Sequence, residues 1–240
     1  MEMNLSFDLP SDLKPEPKLD LNLDLIHGDC FDEMDAIPDK SIDMVLTDPP
    51  YGMAYRSGAR KKKYPGIKND ENLDWLDDWV DQFFRVCKDD TAHYVFCSFH
   101  HMDVFKQSLE RHFKVKNLLV WVKNGHGMGD LKADFASKTE YIFFLQKGRR
   151  LLEGKRDHNV LEFDKTANSY HPTQKPVDLL EFLLAKFSAP GDTILDPFMG
   201  SGSTGVACRN TNRNFIGIEL DENYYRAAQL RVDPDFACLL

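Results

Sequence analysis

Leu19, Leu21, Leu23 and Leu25 alternate with Asp20, Asn22 and Asp24, a period of two that predicts a strand with one buried face. The strand ends at His27-Gly28-Asp29, and a short helix follows over 30–36. The run Ile42-Asp43-Met44-Val45-Leu46-Thr47 predicts a second strand, which stops at Asp48-Pro49-Pro50-Tyr51. Over 72–88 the apolar positions Leu73, Leu76, Val80, Phe83, Phe84 and Cys87 recur at helical spacing. Strands are expected over 92–99, 117–123 and 140–146, with a helix over 102–112 between the first two.

In the last third, Pro176 is suited to be the first residue of a helix reaching about 187, because its missing N–H costs nothing there. Gly191 closes the connection to a buried strand over 193–196. A glycine-rich turn over 197–204 then opens a helix to 209, and 214–220 is the next strand. Asp221 is placed to cap a final helix through 231. Strands alternating with helices predict an α/β protein whose mainly parallel sheet is covered on both faces. The glycines of 124–129 lack the strand-then-helix context of a dinucleotide loop and read as a turn. Residues 1–18 read as a polar, proline-punctuated arm, and 19–240 as one domain.

Composition narrows the class. The 240 residues are 42% hydrophobic and 29% charged, as in an ordinary globular protein. No apolar run reaches membrane-spanning length, and acids near the start argue against a secretory signal, so a cytoplasmic location is expected. Cys30, Cys87, Cys97, Cys208 and Cys238 are scattered and form no C-x-x-C pair. With no H-x-x-x-H or H-E-x-x-H spacing among the histidines, no metal is expected.

The net charge of −9 looks unfavourable for a polyanionic partner, but its distribution changes that reading. Residues 1–43 carry twelve acids against Lys14, Lys18 and Lys40, which accounts for the whole excess. Residues 52–68 hold Arg56, Arg60, Lys61, Lys62, Lys63 and Lys68 and no acid; 147–156 form a second basic stretch. Such segments contact phosphate, although a charge run is more often a solvated loop.

The turn after the second strand carries the most specific chemistry. An exocyclic amine on a nucleobase is a poor nucleophile until two acceptors hold its hydrogens and let the nitrogen pyramidalise. Asp48 offers a carboxylate, Pro49 a carbonyl with no N–H of its own, and Tyr51 a flat face for stacking. The proline also keeps Asp48 extended at the strand end. An ordinary proline turn is the competing explanation. A second constellation begins at Asp196, where a strand end, glycine turn and helix start let a ligand approach the backbone. Glu219, at the end of the following strand, stands where an acid grips ribose hydroxyls in a doubly wound sheet. This pair alone would suit a nicotinamide or flavin cofactor equally.

Asp48-Pro49-Pro50-Tyr51, Asp196-Pro197-Phe198-Met199-Gly200-Ser201-Gly202 and His171-Pro172-Thr173-Gln174-Lys175-Pro176 together resemble the amino-group DNA methyltransferases, with the motif order of the β class. The resemblance covers roughly 23–231. It implies a Rossmann-like, circularly permuted fold with a mainly parallel seven-stranded sheet, and S-adenosylmethionine as cofactor. By the same resemblance, Asp29, with Cys30 beside it, holds the cofactor's adenine amine, and Glu219, next to Leu220, its ribose. Asp196, Phe198, Gly200, Ser201, Gly202, Ser203 and Thr204 surround its methionine portion, Thr173 and Lys175 hold its carboxylate, and Asp48 is counted among the cofactor-binding residues as well. Asp48, Pro49, Pro50 and Tyr51 form the catalytic set. As ordinary alternatives, Asp29 could cap a helix, Lys175 could lie on the surface, and Asp196 could serve turn chemistry.

The implied reaction is direct in-line transfer to a flipped base in DNA, with Arg56 to Lys68 on phosphates. The acid opening the motif favours adenine N6; cytosine N4 is the alternative, followed by RNA or a protein glutamine. A non-catalytic binding module is the remaining rival. Target-recognition insertions are expected near 52–70 and 148–170. The second is short, which leaves three options: limited specificity, a homodimer, or action on single-stranded as well as double-stranded DNA.

Overall fold

The computed structural model describes residues 20–52, 72–126, 132–166 and 173–233. The expected arm, the basic residues Arg56, Arg60, Lys61, Lys62, Lys63 and Lys68, the glycines 127 and 129, His171-Pro172 and Cys238 lie outside the described residues.

Strand β1 (Leu23–His27) leads into helix α1 (Cys30–Asp35), and β2 (Met44–Thr47) precedes α2 (Leu76–Val86). Then come β3 (Thr91–Cys97), α3 (Met102–Leu109), β4 (Lys114–Val122), β5 (Thr139–Lys147) and β6 (Val160–Glu162). Helix α4 (Val177–Phe187), β7 (Thr193–Asp196), α5 (Ser203–Asn210), β8 (Asn214–Glu219) and α6 (Glu222–Val232) complete the chain. The sheet order is β1-β8-β7-β2-β3-β5-β4-β6. Only β5 among the described strands runs against its neighbours, pairing antiparallel with β3 and β4. Seven strands were expected and eight are described; the addition is β6, three residues from the stretch 148–170 that pair parallel with β4.

Every residue of β2 and of β3 is buried, as a strand covered on both faces requires. One face packs Met34, Trp79, Phe83, Phe105 and Phe113 from the α1–α3 side. The other packs Leu179, Leu183, Ala207 and Ala228 from α4, α5 and α6. His93, fully buried in β3, fastens β2: its Nδ1 accepts from the Val45 N–H at 3.1 Å, so its proton sits on Nε2, 3.0 Å from the Thr91 hydroxyl. Burial pushes its pKa down to about 3, which keeps the ring neutral.

The element ends depart from expectation for local reasons. Helix α2 starts at Leu76, not 72, because the Asn72 side chain accepts from Asp74 N at 3.2 Å and diverts the chain into a turn. Helix α3 stops at Leu109, where i→i+3 bonds from Arg111 and His112 tighten the exit. Strand β4 starts early, at Lys114, with a register shift between Val115 and Asn117 that breaks its alternation. Pro176 is the extended N-cap of α4 (φ −65°, ψ 133°), and Val177 is the first helical residue. Asp221 does cap α6, accepting from Asn223 N at 2.9 Å and Tyr224 N at 3.4 Å.

The chain runs outward from β2 in one direction and from β7 in the other. Their shared carboxyl-terminal end is therefore the crevice where open α/β sheets bind ligands.

Candidate active site

Asp48 follows directly from β2, and both of its carboxylate oxygens are engaged. Oδ1 accepts from the Tyr51 hydroxyl and Oδ2 from the Lys175 ammonium. The Tyr51 ring packs edge-on against Phe105 with centroids 6.4 Å apart, and its carbonyl accepts from His101 Nδ1 at 2.5 Å. Gly52, at φ 70°, then turns the chain away. Burial, and next to it the Asp48 charge, hold the Tyr51 phenol well above its ordinary pKa, so it stays a donor.

Asp196 closes β7 beside this turn. Its Oδ1 accepts from Thr47 Oγ1 at 2.7 Å and from Phe198 N at 3.2 Å, and its Oδ2 from Thr204 Oγ1 at 2.7 Å. Burial still raises its pKa to about 6. Gly200 (φ 53°) and Gly202 (φ 76°) form the turn, and Gly202 begins α5 with no side-chain cap. A Cβ on Gly202 would stand 2.9 Å from Ala228 Cβ and from Val232 Cγ2, so this glycine serves close packing on α6 and does not line the cavity. Arg231 fixes the other side of the turn, reaching Ser201 Oγ at 2.8 Å and Ser203 Oγ at 3.3 Å. Phe198 rests on Trp75 and Trp79, at 5.6 and 5.7 Å between ring centroids.

Glu219 ends β8 with one oxygen on Gly200 N (2.9 Å) and the other on Asp221 N (2.7 Å). Burial raises its pKa to about 7 against those two bonds. Gly28 N bonds to Glu219 O at 3.1 Å, which brings the end of β1 alongside. Asp29 caps α1, accepting from Phe31 N at 2.9 Å, and also borders the cavity. Cys30 beside it is pushed up to about 12 by burial and is a neutral thiol.

These groups open into one cavity of about 740 Å³. Its walls include Asp29, Cys30, Asp48, Pro49, Pro50, Tyr51, Thr173, Lys175, Asp196, Phe198, Gly200, Ser201, Ser203, Thr204, Glu219 and Leu220, all expected from the sequence. Lys175 is 7% exposed and not a surface lysine.

Sequence reasoning missed the opposite wall, which includes Phe99, Lys123, Glu140 and Tyr141. Charged residues at the ends of two apolar strands were the available signal. Glu140 lies 3.1 Å from Lys123 Nζ and 3.4 Å from Lys175 Nζ. Burial raises the Glu140 carboxyl, but Lys175 and then Lys123 bring it below the usual value. Burial likewise pulls Lys175 down, and Asp48 with Glu140 more than offset it, so the ammonium stays charged.

Among the described residues no cluster of His, Cys, Asp and Glu could hold a metal ion, and no helix is long and apolar enough to cross a membrane.

A family model described as DNA methylase matches residues 42–166 and 152–230. YubD of Escherichia coli (strain K12), which carries the name of a methylase, is 36% identical over 215 residues, 86% of this chain and 88% of its own. The DNA adenine methyltransferase YhdJ of the same organism is 29% identical over 249 residues, 87% of this chain and 82% of its own. The crystal structure of the M1.HpyAVI–SAM complex superposes with a TM-score of 0.68 at 26% identity, covering 88% of this chain and all of that one.

Proposed function

This chain belongs to the DNA methylase family, whose members transfer methyl groups from S-adenosylmethionine to DNA, and we propose that the amine it methylates is N6 of adenine. The observation that carries this reading is the carboxylate of Asp48, oriented by Tyr51 at the junction of the two halves of the sheet and bordering the cavity.

The residues present fit the cofactor. Glu219 has spare lone pairs for two ribose hydroxyls, and the turn from Asp196 to Thr204 leaves backbone open at a helix start. The cavity is of the size that encloses a small ligand. When bound, S-adenosylmethionine supplies an electrophilic methyl group and needs no further activation. Asp48 and the Pro49 carbonyl accept hydrogen bonds from the two amine hydrogens and bind the developing ammonium more tightly than the neutral amine. Tyr51 donates to Asp48, fixing the carboxylate, and offers its ring to the flipped base.

In the same reading, Arg56, Arg60, Lys61, Lys62, Lys63 and Lys68 neutralise phosphates of double-stranded DNA. The stretches near 52–70 and 148–170 read the target, a homodimer supplies the second reading surface, and the enzyme works in the cytoplasm. Tritiated-methyl transfer to defined oligonucleotides, followed by nucleoside mass analysis, tests the assignment. N6-methyladenine is the expected product. N4-methylcytosine, or label only in RNA or protein, would overturn it.

A further inference from the structure

Four charges of alternating sign cross the acceptor side of the cavity: Asp48, Lys175, Glu140 and Lys123. They come from separate elements. Asp48 follows β2, Lys123 follows β4, Glu140 is the second residue of β5, and Lys175 precedes α4. Lys175 spans β3 to reach both acids, its Nζ lying 4.9 Å from the Phe96 ring centroid. Its two carboxylate contacts are unequal. It is hydrogen-bonded to Asp48, whereas Glu140 Oε2 stands 3.4 Å away, sealed from solvent and with no hydrogen bond. A sealed carboxylate oxygen held only by so long a contact gains from any state of the protein that brings the ammonium closer.

The reaction supplies the reason for such a state. A bound S-adenosylmethionine would bring a positive charge into the cavity, and Asp48 would face positive charge developing on the acceptor nitrogen. In the free protein the negative charge of Asp48 is committed to Lys175. An ammonium held there repels an incoming cation and competes with the acceptor amine for the same carboxylate.

We propose that Glu140 is a positioning residue that takes Lys175 over from Asp48, leaving Asp48 to the acceptor amine and keeping the cavity's charge balanced for a cation. The inference rests on the methyl-transfer reading above and adds a residue outside its catalytic set. Lys123, on the other oxygen of Glu140, sets how much of that negative charge is available.

The test uses the full chain without DNA and compares two ligands that differ in one methyl group and one charge. In Glu140→Gln, calorimetry should give S-adenosylmethionine affinity weakened by about tenfold, with S-adenosylhomocysteine, neutral at sulfur, within about twofold of wild type. Glu140→Gln gives up two ion pairs, so its melting temperature should fall, and the ratio of the two affinities is the readout; Glu140→Asp should recover part of the gap. Lys123→Met should move the ratio the other way, favouring the cationic ligand. At saturating cofactor and DNA, the single-turnover rate of Glu140→Gln should fall on the order of tenfold. Parallel loss of both ligands, or an unchanged ratio in both variants, would overturn the proposal. Failure of the methyl-transfer reading looks different: wild type would label no DNA, whatever the ligand ratio.

Discussion

Thr47 donates its hydroxyl to Asp196 at 2.7 Å, joining the last residue of β2 to the last residue of β7. Asp48 follows Thr47 directly, so this bond sets the distance between the turn proposed to be catalytic and the turn proposed to hold the cofactor. Thr47→Val keeps the shape and removes the donor. It should cost about 1–3 kcal/mol, because a buried carboxylate oxygen then loses one of its two partners. Urea unfolding measures that cost, and a midpoint equal to wild type would contradict it.

In the reading proposed above, Asp48 meets the amine and Glu219 with the glycine turn meets the cofactor, so Asp48→Ala should abolish methyl transfer while affinity for S-adenosylhomocysteine, neutral at sulfur, persists. Asp48→Asn keeps one acceptor oxygen and should retain a trace of activity, lower by about a hundredfold or more. Single-turnover assays with a parallel binding titration separate the two effects.

Glu219 gives the site a pH dependence of definite sign. Its pKa in the free protein is raised to about 7, above that of an ordinary glutamate, and hydrogen bonds from ribose favour the ionised form. Affinity for 5′-methylthioadenosine, which carries the ribose and no amino acid, should be level above about pH 7. Below that it should fall by about tenfold per pH unit. Glu219→Gln should bind weakly and with no such slope.

Replacing Lys61, Lys62 and Lys63 by alanine should weaken DNA binding uniformly across sequences. The slope of log affinity against log salt should shrink by about 0.9 for each phosphate contact removed. Fluorescence anisotropy over a salt series reads this, and an unchanged slope would place the three lysines away from the phosphates.

Much of this was legible along the chain, because its signals are local. Asp48 before two prolines, Asp196 before a glycine turn and Glu219 at a strand end each declare themselves within a few residues, and α/β alternation places them on one edge. The acceptor wall was not legible. Lys123 reaches that edge from the carboxyl end of β4, but Glu140 meets it there only because β5 returns antiparallel to β3 and β4, and no local pattern states that direction. Strand β6 escaped for a related reason. Three residues, one of them buried, carry too little periodicity to announce a strand. Gly202 was read by its motif as a cofactor contact, whereas its surroundings show a packing position against α6.

Strand β1 has β8 as its sheet neighbour, and where they meet Asn22 bonds to Asn214, 192 residues further along the chain. Strand β7 likewise comes late and inserts beside β2. A ribosome therefore releases the turn from Asp48 to Tyr51 long before β7 and β8 exist. Pairings this distant close slowly. With the roles proposed above for Asp48, Asp196 and Glu219, the nascent protein would stay chemically silent until nearly its whole length had emerged, and a product of premature termination before β7 would have a methyl acceptor site with nothing to draw a methyl group from.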